Sequence, residues 1–180
     1  MLDTAVKLMA RAATARREDR LEDARRDYED AVVLCRQSSQ PELIRALKGL
    51  GQIERDLGRS DLALVLYGEA VDICRTINDP LTLAHTVRHL GDIHRESGRP
   101  DLAEPCLLEA LAIYRGHDET NPLDLANAIR PLAILKQEEG AVEESRELWE
   151  EARKLYAAVN VREGVAESTA RMAQLHRKTS

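Results

Sequence analysis

Three stretches of this chain are close copies of one another, and no other feature constrains the fold as much. LKGLGQIERDLGRSDLALVLYGEA begins at Leu47, VRHLGDIHRESGRPDLAEPCLLEA at Val87, and IRPLAILKQEEGAVEESRELWEEA at Ile129. With Ala12, Gly51, Gly91, Ala133 and Ala173 as equivalent anchors, the spacings are 39, 40, 42 and 40 residues. A fixed period of that size means a repeat array, in which each unit buries its apolar face against its neighbours.

Seven residues past the first four anchors stand Asp19, Gly58, Gly98 and Gly140. They end a helical pattern, where a left-handed residue closes the last turn. Start signals follow at Ser60-Asp61, at Pro100-Asp101 and at the acidic pair Glu143-Glu144. Each unit therefore reads as helix, tight turn, helix. Gln40-Pro41, Asp79-Pro80 and Asn121-Pro122 open the next units, and the connection 116–122 is the longest and most polar. The pattern predicts helices at 3–17, 21–37, 42–57, 61–77, 81–97, 101–115, 123–139, 142–158 and 163–177. The ninth is expected to cover the apolar edge of the fourth unit.

Further columns identify the interior. Twelve residues past the anchor lie Ala24, Ala63, Ala103 and Ser145, and nineteen past it lie Ala31, Ala70, Ala110 and Ala152. At sixteen stand the large residues Tyr28, Tyr67, Leu107 and Trp149, and at twenty-three Cys35, Cys74, Tyr114 and Tyr156. Small residues let two helix axes approach, and the large one fills the space between them. Pro131 falls inside the first helix of unit four and predicts a kink or a late start there, because proline removes a backbone hydrogen bond.

Gly or Ala at the anchor, Gly seven later, Ala at twelve and nineteen and an aromatic at sixteen resemble the tetratricopeptide repeat (TPR). The usual period of that family is about 34 residues; the longer units here are similar to the repeats of kinesin light chains and of some bacterial regulators. The resemblance implies an all-α, right-handed α-solenoid of four helix-turn-helix TPR-like repeats plus a C-terminal capping helix. It covers residues 1–180 as a single domain, with repeats at about 3–38, 41–78, 81–116 and 123–159 and the capping helix at 162–178. It also implies that the first helix of each unit lines a concave surface where a peptide or partner segment lies.

Composition narrows the function. Charged residues are 32% of the chain and aromatics 3%, with no Phe, as expected for helices packed by Leu, Ala and Val. A net charge of −6 argues against a nucleic-acid partner. Three cysteines without a C-x-x-C pair fit a reducing, cytoplasmic setting. No apolar run approaches the length of a membrane span. The Ala- and Arg-rich start resembles an organelle presequence in part, but it is in phase with the repeats and carries Asp3, so it reads as a first structural helix. No phosphate-binding loop, H-E-x-x-H or G-x-S-x-G is present, so neither an enzyme nor a cofactor is expected.

Offsets −6, −3, +1 and +4 share one face of each first helix. The opposite face is apolar: Leu47, Leu50 and Ile53; Val87, Leu90 and Ile93; Ile129, Leu132 and Leu135. The open face reads Arg45, Lys48, Gln52 and Arg55 in unit two, His85, Arg88, Asp92 and Arg95 in unit three, and Asn127, Arg130, Ile134 and Gln137 in unit four. Lys48, Arg88 and Arg130 form one column, and Arg16, Arg55 and Arg95 another. Arginines so placed grip carboxylates through paired hydrogen bonds. The expected function is a non-catalytic protein-interaction scaffold, its partner an acidic segment or a C-terminal carboxylate. The bland alternative is solvated charge paired along each helix, Lys48 with Gln52 or Arg88 with Asp92. Gln52 and Asp92 stand where a chaperone-type clamp would carry Asn, which argues against a chaperone adaptor. His85, His89 and Asp92 have metal-like spacing, but Arg88 lies between them, so no metal is expected. Other readings are a self-associating assembly subunit, dimerising through terminal helices by Leu2, Val6 and Met9, and a ligand- or peptide-sensing regulatory module.

Overall fold

The computed structural model describes residues 1–178; the last two residues of the expected 1–180 domain lie outside the described residues. Among the described residues there are nine α-helices and no strand: α1 Leu2–Arg17, α2 Leu21–Arg36, α3 Gln40–Asp56, α4 Ser60–Ile77, α5 Pro80–Glu96, α6 Pro100–Arg115, α7 Pro122–Glu138, α8 Val142–Ala158 and α9 Arg162–Lys178. Their ends fall within two residues of those read from the repeat pattern. None of these helices is long and apolar enough to cross a membrane.

The turn inside each repeat follows from one backbone device. Asp19, Gly58, Gly98 and Gly140 all have positive φ, at 60°, 76°, 69° and 80°. The residue after each donates its N–H five positions back: Arg20 to Ala15 O, Arg59 to Glu54 O, Arg99 to His94 O and Ala141 to Lys136 O, at 2.8–2.9 Å. This left-handed closure satisfies carbonyls that the helix end would otherwise orphan. Asn78 and Asn160 also take the left-handed conformation after α4 and α8, with φ of 52° and 58°, and after Asn160 the N–H of Val161 donates to Tyr156 O at 2.9 Å. At the helix starts, Asn121 Oδ1 accepts from Leu123 N at 2.9 Å and Asp79 Oδ1 from Thr82 N at 3.0 Å.

The chain forms two compact units, Met1–Ile93 and His94 onward. In the first, α1 packs on α2, α2 on α3 and α3 on α4. Its core joins Ala5, Met9, Leu43, Ile44, Leu47 and Cys74, with Ile53 against Ala12, Ala15 and Ala24. Met9 is therefore turned inward, not part of an exposed edge with Leu2 and Val6. In the second, α6 packs on α7, α7 on α8 and α8 on α9, burying Leu107, Ile129, Leu132, Leu135 and Tyr156.

Every member of the two small columns, Ala24, Ala63, Ala103 and Ser145 and then Ala31, Ala70, Ala110 and Ala152, is 0% exposed. Tyr67, Leu107 and Trp149 are buried between them, while Tyr28 is half-buried. At Gly51 the reason for glycine is spatial. A Cβ there would stand 2.9 Å from the ring of Tyr67.

Two expectations need correction. α7 runs unbroken from Pro122 to Glu138, so of the kink or late start expected at Pro131 the late start is absent. Proline deprives the Asn127 carbonyl of its helical donor, but Ile129, Pro131, Leu132, Ala133 and Leu135 are all buried, and that packing carries the helix through. Ile134, placed on the open face by spacing, is buried with Trp149 and Leu175, beneath α9. Ala173, the fifth anchor, is exposed.

Candidate functional site

The residues singled out by spacing occupy α3, α5 and α7. On α3, Arg45 is exposed and Lys48, Gln52 and Arg55 are half-buried; on α5, His85, Arg88 and Arg95 are half-buried and Asp92 is buried. On α7, Asn127, Arg130 and Gln137 are half-buried. Their partners divide them sharply.

The arginines four past the anchor are each tied to a carboxylate on the first helix of the next unit. Arg16 Nε meets Asp56 Oδ2 at 2.5 Å, Arg55 Nη2 meets Asp92 Oδ2 at 2.9 Å, and Arg95 Nη1 meets Glu138 Oε1 at 3.0 Å. Gln52 Nε2 also donates to Asp56, at 2.8 Å. In the second unit Arg130 makes a two-point contact with Glu167 of α9, Nε at 2.7 Å and Nη2 at 2.9 Å. Asn127 Oδ1 accepts from the Tyr156 hydroxyl at 2.9 Å. These groups fasten helices to one another. Neither of the pairings expected along single helices, Lys48 with Gln52 or Arg88 with Asp92, is formed.

Lys48 and Arg88 differ. Among the described residues no carboxylate lies within ion-pair distance of either. Burial, with the charges of Arg88 and Arg45, holds the Lys48 ammonium below the usual lysine range. Asp79, whose charge reaches Lys48, is engaged instead by Thr82, accepting from its N–H at 3.0 Å and its hydroxyl at 2.7 Å. Arg88 Nη2 lies 2.8 Å from His89 Nε2. A guanidinium only donates, so that ring nitrogen accepts and the neutral ring carries its proton on Nδ1. The His89 ring in turn stacks on Tyr67, centroids 5.4 Å apart and planes 22° apart. His85 lies beside it, centroids 4.7 Å apart.

Burial pushes both imidazoles far below the ordinary histidine value, with the neighbouring cations adding to the effect. His85 falls to about 3 and His89 to about 2. Arg88 Nε, His85 Nδ1 and His89 Nδ1 are covered and have no hydrogen-bond partner. A covered polar group without a partner costs about 1–3 kcal/mol. The cluster is thus two cations and two neutral imidazoles, short of acceptors.

The metal-like spacing brings His85 and His89 together, but Asp92 is bound to Arg55. Among the described residues no group of three His, Cys, Asp or Glu could hold a metal ion. Two features escaped the sequence reading: Tyr67 as the platform under His89, and Glu167 as the occupant of Arg130. Tyr67 was legible as a large core residue, and nothing in the spacing pointed to Glu167.

A family model described as tetratricopeptide repeat matches residues 3–76 and 42–116. No curated protein matches the chain. Among solved structures, BtubC (BKLC) from P. vanneervenii is similar at 20% identity and a TM-score of 0.78, over 87% of this chain and 64% of that one. A putative kinesin light chain from Podosopora anserina with nearly identical TPR-like repeats is similar at 17% identity and a TM-score of 0.70, over 97% and 95%. Aspartyl phosphate phosphatase F from Bacillus subtilis is similar at 11% identity and a TM-score of 0.84, over 93% and 44%. The chain thus spans less than two thirds of BtubC and of the phosphatase. At these identities the likeness speaks to the fold, an all-α repeat array.

Proposed function

The chain belongs to the tetratricopeptide repeat family, and from that premise we propose that it is a non-catalytic interaction module holding an acidic segment of a protein partner against the α3–α5 face. Such repeats generally mediate protein–protein interaction. The finer reading rests on one observation: no carboxylate lies within ion-pair distance of Lys48 or Arg88, while Arg16, Arg25, Arg36 and Arg55 of the same unit are each paired with a carboxylate. Half-buried cations without a counter-charge are costly to keep, and an incoming carboxylate offsets that cost. Arg45 and His85 flank the pair and would line the segment's path. In the second unit Arg95, Asn127 and Arg130 are engaged internally, so Gln137, whose Oε1 is covered and unsatisfied, offers the polar group of that face still short of a partner.

The test is selection from a randomised acidic peptide library by wild type and by Lys48→Glu/Arg88→Glu, at low and moderate salt. Selective binding, weakened at least tenfold in the double variant and by added salt, is the expected result. Equal selection by both proteins would overturn the assignment. Self-association through α1 is the competing reading, favoured by the exposure of Leu2 and Val6; sedimentation of wild type and Leu2→Glu/Val6→Glu distinguishes it.

A further inference from the structure

The charge and donor set at Lys48 and Arg88 point beyond a single carboxylate. The two cations come from different helices, α3 and α5, and lie close enough for Arg88 to depress the Lys48 ammonium. Arg88 is held by a neutral acceptor, His89 Nε2, which orients the guanidinium without cancelling its charge. The stack on Tyr67 fixes that ring in turn.

Of the surrounding titratable groups, only Asp79 brings negative charge near neutral pH. Burial pushes the Tyr67 phenol up to about 12, and it also raises the Cys74 thiol. His85 and His89 are neutral, and Asp79, kept ionised by the bonds it accepts from Thr82, lies beyond ion-pair distance of Lys48 and Arg88. Arg55 is committed to Asp92, and Arg45 adds further positive charge at the rim. Three cations, Lys48, Arg88 and Arg45, stand against the one carboxylate of Asp79, which leaves a net two positive charges for an external anion.

We propose that this site takes a phosphate monoester, a phosphorylated serine or threonine within the partner's acidic segment, bound as its dianion. A monoester carries about −1.5 to −2 charges near neutral pH and three acceptor oxygens. Two of those oxygens suit the guanidinium fork of Arg88, leaving one for Lys48. A carboxylate brings one charge and two oxygens, and so offsets only one of the two positive charges. His89 acts as a positioning residue, through Arg88. The inference rests on the interaction reading above, but it can fail separately.

The experiment uses the full chain and one acidic peptide carrying Ser, Glu or phosphoserine at its centre, with inorganic phosphate as competitor, followed by calorimetry. The phosphoserine peptide is expected to bind at least tenfold more tightly than the Glu peptide at pH 7.5, with the preference shrinking at pH 5.5 as the phosphate takes up a proton. His85 and His89 stay neutral at both values, so the change reports the ligand. The preference should vanish in Arg88→Gln and weaken in His89→Gln, while Arg88→Lys, which keeps the charge but not the fork, retains part of it; circular dichroism verifies the fold of each. Equal affinity for the Glu and phosphoserine peptides, lost in Lys48→Glu/Arg88→Glu, would overturn the phosphate inference and leave the acidic-segment reading standing. Failure of all three peptides to bind would overturn both.

Discussion

Arg55 donates from Nη2 to Asp92 Oδ2 at 2.9 Å, joining α3 to α5 across 37 residues of sequence. The carboxylate is buried and the guanidinium mostly so, with side-chain exposures of 10% and 21%. Arg55→Ala is expected to cost about 1.5–3 kcal/mol, the range for hydrogen bonds to charged groups. Asp92→Asn, whose amide oxygen still accepts from Arg55, should cost less. Urea denaturation of both variants checks the order, and a reversed order would mean that the pair does not fasten the two helices.

Gly51→Ala should destabilise the first unit by about 1–3 kcal/mol through overpacking, because the new methyl meets the ring of Tyr67. Tyr67→Leu in the same chain should restore part of the loss. Thermal melts of the single and double variants decide it, and strict additivity would show that the two sites do not touch.

Trp149 is 0% exposed and packs with Ala133, Ile134 and Leu175. Trp149→Ala is expected to cost about 3–5 kcal/mol. Trp149 is also the one tryptophan of the chain, so its fluorescence gives a direct reading of unfolding in the wild type, and circular dichroism follows the variant. An unchanged melting temperature would contradict the burial.

Stability should fall as the solution is acidified through the histidine range. His85 and His89 are depressed by burial to about 3 and about 2 when folded, whereas the unfolded chain takes up protons below about 6.5. The folded state therefore loses ground as pH drops below that point, approaching about 1.4 kcal/mol per pH unit for each ring. His94, also lowered by burial, adds to the slope with the same sign. Between pH 6.5 and 5.5, above most of the carboxylate titration, His85→Gln/His89→Gln should flatten the dependence measured by denaturant midpoints. An unaltered slope would show that the rings titrate normally in the folded protein.

Much of the fold was legible because its signals are local. Glycine or aspartate at a left-handed position, proline at a helix start and alanine in a packed column each act through their own backbone or volume, and repetition at 40 residues lets one unit check another. Asn78 and Asn160 take the same left-handed conformation as Gly58 and Gly140, but they fall in no glycine column. Which residues share one side of a helix was also readable, since three- and four-residue spacing places Lys48 with Arg45 and Arg88 with His85. What spacing along one helix cannot carry is the identity of partners on another. The pairing of Arg16, Arg55, Arg95 and Arg130 with Asp56, Asp92, Glu138 and Glu167 depends on how helices 37–43 residues apart meet. That is why four arginines that look alike in sequence to Lys48 and Arg88 are structural fasteners. Ile134 was misplaced for the same reason, its cover being supplied by Leu175 and Met172 of α9.

The fully covered alanines, Ala24, Ala31, Ala63, Ala70, Ala103, Ala110 and Ala152, reverse the usual link between chemical richness and importance. Since they set the gauge between neighbouring helices, the residues with least to say chemically are the least replaceable, and a saturation scan should find deeper intolerance there than at the arginines. The large residues at offset sixteen have already drifted among Tyr, Leu and Trp within this one chain. Drift of that kind is open only to side chains that fill a space, and closed to those that define it.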